Sequence, residues 1–183
     1  DPAPTVTGVA FVREESRISL VEIPDQPGVM SSIFATLSEN RIPVDMVVQN
    51  IGINGHANVS FTVASEDLSR ALDVAKTAIE SLGGSINHQA GLAKVSVVGR
   101  GLQTHSGVAA AMFQILAAQK INIHIVTTSE IKISVLVDQD VCDQAVLAVH
   151  DGFQLNQEES LQPHVGSATT PSSVNTEGDR DQS

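Results

Sequence analysis

The sequence predicts an α+β protein made of two copies of one βαββαβ unit. Gly28 aligns with Gly107 when the chain is shifted over itself by 79 positions, and residues of similar character align around them. These further pairs are Val29 with Val108, Phe34 with Phe113, Leu37 with Leu116, Ile42 with Ile121, Val44 with Ile123 and Met46 with Ile125. Within each copy, apolar residues change between a period of two and helical spacing, which indicates strands and helices in turn.

The first copy contains the whole unit. Its first strand, 18–23, is β-branched and ends at a segment of turn-forming residues, 24–28. An apolar stripe then predicts a helix, and strict alternation predicts a half-buried strand after it. The predicted elements after the loop are a helix over 29–40, strands over 42–48 and 57–63, a helix over 66–82 and a strand over 85–92.

The second copy lacks its last strand. Its predicted elements are a strand over 94–98, a helix over 107–118, strands over 121–127 and 131–137, and a helix over 140–149. The apolar stretch 6–11 has no place in the first copy, so we expect it to supply the missing edge strand. The βαββαβ order is that of a ferredoxin-like fold, an antiparallel sheet with both helices on one face.

These assignments predict that the first domain is inserted in the second. The first domain comprises residues 16–92, and the second comprises residues 5–12 together with 93–155. From 156 to 183 the apolar periodicity disappears, and Ser, Thr, Gln, Pro and acidic residues dominate. This composition predicts a disordered tail.

Composition narrows the possible partners. Ten Lys and Arg residues against 21 Asp and Glu residues give a net charge of -11, which disfavours nucleic acid and anionic membranes as partners. No apolar run approaches the ~20 residues that span a bilayer, and the first residues resemble no signal peptide. Cys142 is the single cysteine, so no intrachain disulfide can form. We therefore expect a soluble protein of the cytoplasm.

Motifs for catalysis or cofactor binding are missing. The six His residues show no metal-ligand spacing. The segment 99–104 begins like a dinucleotide-binding fingerprint but lacks its third glycine, and no phosphate-binding P-loop occurs. Ser106 beside His105 is not an activated nucleophile, because adjacent side chains point in different directions and no strained elbow motif surrounds them. We expect no metal and no cofactor.

The strand-to-helix loops, 24–30 and 104–109, are the best candidates for ligand binding. A glycine at a helix N-terminus lets an anion approach the free backbone N–H groups, where the helix dipole also favours negative charge. Asp25 and Gln49 could accept hydrogen bonds from an ammonium group, so an α-amino acid would be held at both ends. The alternative is that both glycines only permit a tight turn and that Asp25 is a cap or a solvated carboxylate.

A second polar segment spans 127–134, where two predicted strands meet. Its four polar side chains, those of Thr127, Thr128, Ser129 and Glu130, could contact the side chain of a ligand. They could equally form a hydroxyl-rich β-turn with an exposed cross-strand pair.

Several segments resemble the paired ACT domains of the aspartokinase family, in the order and spacing of that family. They are GVA at 8–10, PDQPG at 24–28, DMVVQN at 45–50, KVSVVG at 94–99, HSGVA at 105–109 and TSEIKIS at 128–134. The resemblance covers about 6–155. It implies two ferredoxin-like ACT domains, the first inserted in the second, that sense threonine, lysine or both for feedback control. It places the effector sites between ACT domains of a homodimer.

The resemblance also implies site residues. Effector binding is expected at Asp25, Pro27, Gly28, Val29, Met30, Gln49, Asn122 and Ile123, with the last two contributed by the facing domain. A second site or coupling region is expected at His105, Ser106, Gly107, Val108, Thr128, Ser129 and Glu130, where Ser129 matches a position associated with feedback control. Ser106 stands where the family usually has proline, and Ala109 where some members have a hydroxyl, so we expect an altered or empty second pocket.

The catalytic kinase domain of that family, with its lysine-rich nucleotide motifs, has no counterpart in these 183 residues. We therefore expect that this chain alone does not phosphorylate aspartate. It would serve as a regulatory subunit, or as the C-terminal part of a longer polypeptide, with an aspartokinase catalytic domain or subunit as its partner. The alternative is a structural dimerisation module that binds no effector.

Overall fold

The computed structural model describes residues 5–102 and 106–155. Its strands are β1 (Thr5–Pro24), β2 (Val47–Ile51), β3 (His56–Ala64), β4 (Ser85–Arg100), β5 (Ile125–Thr128) and β6 (Lys132–Asp138). Its helices are α1 (Val29–Glu39), α2 (Leu68–Ile79), α3 (Ser106–Ala118) and α4 (Cys142–Gly152). Short 3-10 turns, Ser65–Asp67 and Gln139–Val141, lead into α2 and α4. The predicted disordered tail, 156–183, lies outside the described residues.

All six strands form one antiparallel sheet in the order β2-β3-β1-β4-β6-β5. The first half of the sheet contains β2, β3, the C-terminal part of β1 and the N-terminal part of β4, in the order β4-β1-β3-β2. The second half contains β5, β6 and the remaining parts of β1 and β4, in the equivalent order β1-β4-β6-β5. The predicted α+β fold with two ferredoxin-like units is therefore confirmed.

Strands β1 and β4 run through both halves of the sheet, which the sequence patterns did not predict. Those patterns divided β1 into separate strands at 6–11 and 18–23, and β4 into strands at 85–92 and 94–98. Residues 12–17 contain no glycine or proline to end a strand, and shifts of register on both sides of Glu15 let β1 continue. Val6 lies opposite Gly99 and Val12 opposite Lys94, in the half that contains β5 and β6. The domain boundaries at 16–92, 5–12 and 93–155 stay a prediction, because the sheet is continuous across them.

Each half has its own hydrophobic core between the sheet and two helices. In the first half, alternate residues of β1 and β3, including Ile18, Leu20 and Phe61, pack against α1 and α2. The rings of Phe34 and Phe61 meet edge to face, with their centroids 5.8 Å apart. In the second half, alternate residues of β4 and β6 pack against α3 and α4, where Met112 is fully buried.

The strand predicted over 42–48 is wrong in its first five residues, because β2 begins only at Val47. Two residues of this segment, Asp45 and Met46, lie opposite the single residue Thr62. The N–H of Asp45 donates to the carbonyl oxygen of Thr62, and the N–H of Thr62 donates to the carbonyl oxygen of Met46. Pro43 cannot donate to a ladder at all. In the second half, β5 likewise begins at Ile125 and not at 121. The irregular segment before β2 matters for the site, because it carries Asp45 towards β4.

Candidate functional site

The loop between β1 and α1 presents the start of a helix to solvent. Gly28 precedes α1 with φ 89° and ψ -14°, a left-handed conformation that L side chains rarely adopt. No side chain among the described residues caps this end of α1. The N–H of Val29 donates to the carbonyl oxygen of Gln26 at 3.2 Å, which leaves the N–H groups of Met30 and Ser31 for an anion. The N–H of Asp25 donates to the carbonyl oxygen of Gly55 at 2.8 Å, which ties the loop to the turn between β2 and β3.

The predicted effector residues of the first half lie around this loop. Asp25, Pro27 and Gly28 are exposed, whereas Val29 is buried in the first core and Met30 packs against it half-buried. Gln49 is exposed on β2, opposite Val59 of β3 and two residues from the end of the strand. The hydrogen bond from Asp25 to the β2–β3 turn places three groups at the same end of the first half. They are the carboxylate of Asp25, the amide of Gln49 and the uncapped N-terminus of α1.

Asn122 and Ile123 are not brought to this loop within one chain. They come just before β5, at the edge of the sheet opposite β2. Five strand spacings separate the two edges, a distance of about 24 Å. The predicted effector set is therefore divided between opposite edges of the molecule.

The second strand-to-helix loop differs from the first, although their sequences align. Ser106 and Gly107 are exposed and Val108 is buried, and Gly107 is the second residue of α3, without a positive φ. Gly28, by contrast, lies before its helix in the left-handed region. The two aligned glycines therefore take different positions, one before its helix and one inside the first turn of its helix. His105 lies outside the described residues.

The two glycines should respond in opposite ways to alanine. Gly28→Ala would force a Cβ into the left-handed region, and we expect a loss of about 1 to 2 kcal/mol in the free energy of unfolding. Gly107→Ala lowers the backbone entropy of the unfolded chain, and nothing lies within 4 Å of the new Cβ in the folded one, so stability should be unchanged or higher. Urea unfolding of both variants measures the difference. Equal losses would show that the two loops are conformationally alike.

Thr128 ends β5, and Ser129 and Glu130 lie in the turn between β5 and β6. The N–H of Ser129 donates to the carbonyl oxygen of Lys132 at 2.7 Å, and the carbonyl oxygen of Glu130 accepts from the N–H of Leu102 at 2.8 Å. All three side chains are exposed. The segment is a bend that joins β5 to β6, and Thr128 and Ser129 also line a cavity of about 380 Å³.

A group of charged residues beside that cavity, of which Glu15 and Lys94 are buried and Asp45 is exposed, was not predicted from the sequence. The ammonium of Lys94, on β4, contacts the carboxylate of Asp45 at 2.6 Å, and the Lys94 side chain is 10% exposed. Glu15, on β1, is only 3% exposed, and its Oε2 has no hydrogen-bond partner among the described residues. A lysine inside the apolar run 92–98 was the one signal of this group, and its partner is 49 positions away.

The two carboxyl groups share one proton at neutral pH. Burial, reinforced by the neighbouring Asp45, raises the pKa of Glu15 to about 8. Burial alone would also raise the pKa of Asp45, but hydrogen bonds from Glu15 and Lys94 outweigh it and lower that pKa. Glu15 is therefore neutral and Asp45 charged, and Asp45 balances Lys94.

The described residues contain no group of three or more His, Cys, Asp or Glu side chains placed to hold a metal ion. Across 5–102 and 106–155, no helix is both long and apolar enough to cross a membrane.

Comparison with known proteins identifies the family. A model of the ACT domain matches residues 18–79 and again 95–153. The aspartokinase of Helicobacter pylori strain 26695 is 40% identical over 154 residues, which are 84% of this chain and 38% of that protein. An aspartokinase of Thermus thermophilus is 38% identical over 156 residues, which are 83% of this chain and 38% of that protein. The chain thus spans well under half the length of these relatives.

Solved structures give the same result at the level of the fold. The ligand-free regulatory subunit of aspartate kinase from Thermus thermophilus is 37% identical with a TM-score of 0.75, and the match covers 81% of this chain and 98% of that one. In a structure of aspartokinase alpha and beta subunits, one chain is 39% identical with a TM-score of 0.74, and 82% of this chain covers 100% of it. The chain therefore belongs to the aspartokinase family, as a regulatory region with two ACT domains.

Proposed function

We propose that this chain is the amino-acid sensor of an aspartokinase, and that it binds threonine, lysine or both. Bound effector would lower aspartate phosphorylation by the attached catalytic part, as feedback control of lysine, threonine and methionine biosynthesis in the cytoplasm. The observation that carries this proposal is the left-handed Gly28 before an uncapped α1, beside Asp25 and Gln49. That arrangement offers donors to a carboxylate and acceptors to an ammonium, the two charged groups of every free α-amino acid.

The effector site is completed by a second copy of the chain. Asn122 and Ile123, which the family resemblance assigns to the same site, lie at the opposite edge of the sheet from Gln49. Among the described residues, each edge strand has a strand partner on one side only, and β2 exposes Val47 and Ile51. Exposed edges with apolar residues favour pairing with another chain. A symmetric dimer would bring the first half of one copy to the second half of the other and form the site twice.

A catalytic domain or subunit is the second partner. The curated relatives are more than twice as long as the matched region, and one solved relative is described as having alpha and beta subunits. Effector binding would favour one arrangement of the paired ACT domains. A coupling free energy of ~1 to 3 kcal/mol between effector site and kinase is typical of such control.

Calorimetry with threonine, lysine, methionine and isoleucine tests this function. We expect saturable binding of threonine or lysine, and Asp25→Ala and Gln49→Ala should each weaken it by at least about tenfold, because a ligand charge loses its partner. Asp73→Ala and Gln114→Ala are matched controls, since both change exposed residues on helices. Far-UV circular dichroism checks that the variants are folded.

Two outcomes would contradict the proposal. Unchanged affinity in both Asp25→Ala and Gln49→Ala would reject the site. No heat from any of the four amino acids, with a folded dimer, would favour a structural dimerisation module instead.

A further inference from the structure

A cavity lies between the two halves of the molecule, on the side of the sheet away from α3 and α4. In β4 and β6 the odd-numbered residues pack against those helices, so the even-numbered ones face the other way. Among them Ser96 and Ser134 lie opposite each other, and their hydroxyls hydrogen-bond at 2.7 Å. The first half contributes Asp45 from the irregular segment before β2, and the β5–β6 turn closes the far side.

Lysine side chains flank this pair of serines. Lys94 precedes Ser96 by two residues on β4, and Lys132 precedes Ser134 by two residues on β6, so both share the face of the serines. Both lysines line the cavity, whose volume is about 380 Å³. That volume is within the range of small-molecule sites.

The charges of the cavity do not cancel. Asp45 is balanced by Lys94, at 2.6 Å. Lys132 is half-buried, and its ammonium has no hydrogen bond or salt bridge within 4 Å among residues 5–102 and 106–155. Its positive charge does contribute to the lowered pKa of Asp45. Glu15 behind Asp45 holds its proton at neutral pH and adds no negative charge. The cavity therefore carries one excess positive charge in a chain whose net charge is -11.

We propose that this interdomain cavity binds a small organic anion, a carboxylate or a phosphate, through Lys132 and hydroxyl groups of β5 and the β5–β6 turn. Thr127 lies opposite Ser134 and so shares its face, and both Thr127 and Ser129 line the cavity and can donate O–H hydrogen bonds to the anion. Lys94 adds a second positive charge at the other end. The site is distinct from the loop at Gly28 and does not depend on the proposed amino-acid site.

A ligand here would hold the two ACT domains in one arrangement. Its contacts would come from Lys132 and Ser129 in the second half and from Lys94, whose ammonium is held by Asp45 of the first half. A ligand changes a conformational equilibrium only through different affinity for the two states, and a site with walls on both halves provides that difference.

Calorimetry of the full chain with succinate and with inorganic phosphate tests the site. We expect one saturable site per chain for at least one probe, weakened at least tenfold by Lys132→Met. Lys76→Met, an exposed lysine on α2, is the matched control and should bind as the unchanged chain does. Lys94→Met is a poorer test, because it leaves the charge of Asp45 without its partner and threatens folding. Thr127→Val, which keeps the shape of the side chain, gives a second readout through the hydroxyl.

The outcomes distinguish a carboxylate ligand from a phosphate ligand, and they distinguish the anion site from the proposed amino-acid site. Binding of succinate alone indicates a carboxylate ligand, and binding of phosphate alone indicates a phosphate ligand. Asp25→Ala should leave either binding unchanged, so failure of threonine and lysine to bind would overturn only the amino-acid site. Absence of saturable binding by both probes, or equal weakening by Lys132→Met and Lys76→Met, would overturn the anion site.

Discussion

Glu15→Gln should flatten the dependence of stability on pH between about 5 and 9. The folded chain holds a proton on Glu15, whose pKa is raised to about 8, whereas the unfolded chain releases it near the ordinary value of 4.5. A group with a raised pKa gives full stability below its unfolded pKa and loses that contribution as pH rises through the folded value. The unchanged chain should therefore lose on the order of 3 kcal/mol across this range. Gln is neutral at every pH and keeps a donor for Asp45, so the free energy of unfolding of Glu15→Gln should not show this loss.

The neighbours of Glu15 do not produce the same profile. Asp45, Lys94 and Thr62 surround it, and Lys132 acts on Asp45 from β6. The lowered pKa of Asp45 stabilises the fold above its ordinary value of 3.8 and is lost only as pH falls below that. Its effect therefore lies outside the measured window.

Urea unfolding at one-unit steps from pH 5 to pH 9 measures this effect. Glu14→Gln is the matched control, since Glu14 is the exposed neighbour of Glu15. We expect the control to follow the unchanged chain and Glu15→Gln to exceed both in stability at pH 9. Parallel profiles for all three proteins would show that Glu15 is ionised in the folded state.

The internal repeat made the fold predictable from sequence. Aligned pairs such as Phe34 with Phe113 indicated one supersecondary unit used twice, and periodicity placed α1 and α3 to within one or two residues. Local patterns of this kind report which face of an element is buried. They do not report how long a strand continues once a bulge replaces a turn, which is why β1 and β4 were divided.

The site was predictable only where local sequence determines the conformation. The left-handed Gly28 follows from a turn-forming segment before a helix, and it lies where the pattern predicted. The aligned Gly107 lies inside its helix, because the helix there begins one residue earlier than the pattern predicted. The contacts among Glu15, Asp45 and Lys94 depend on three strands meeting, and no spacing along the chain encodes them.

A mixed dimer provides the strongest test of a site shared between two copies. A dimer with Gln49→Ala in one chain and Asn122→Ala in the other has both changes in one site and none in the second. We expect each homodimer to bind effector about 10- to 100-fold more weakly, because a polar contact to a charged ligand is removed. The mixed dimer should bind one effector with the affinity of the unchanged protein.

The reason is the position of the two residues in the sheet. Gln49 lies on β2 and Asn122 lies beside β5, with about 24 Å between these edges of one chain. A site that contains both must take one from each copy, so the two substitutions can be collected in a single site. A site formed within one chain would have one substitution in every copy, and the mixed dimer would then bind as weakly as the homodimers.

Two affinity tags, one on each variant, allow the mixed dimer to be purified, and calorimetry gives its stoichiometry and affinity. A second mixed dimer, with Asp25→Ala in one chain and Gln49→Ala in the other, is the control. Both of these residues lie at the same end of the first half, so every site would carry one substitution. Recovery of one strong site in the first mixed dimer and in no other pairing would locate the effector between copies. Recovery in neither would place both residues in a site formed within one chain, whereas unchanged affinity of the Asn122→Ala homodimer would place Asn122 outside the site.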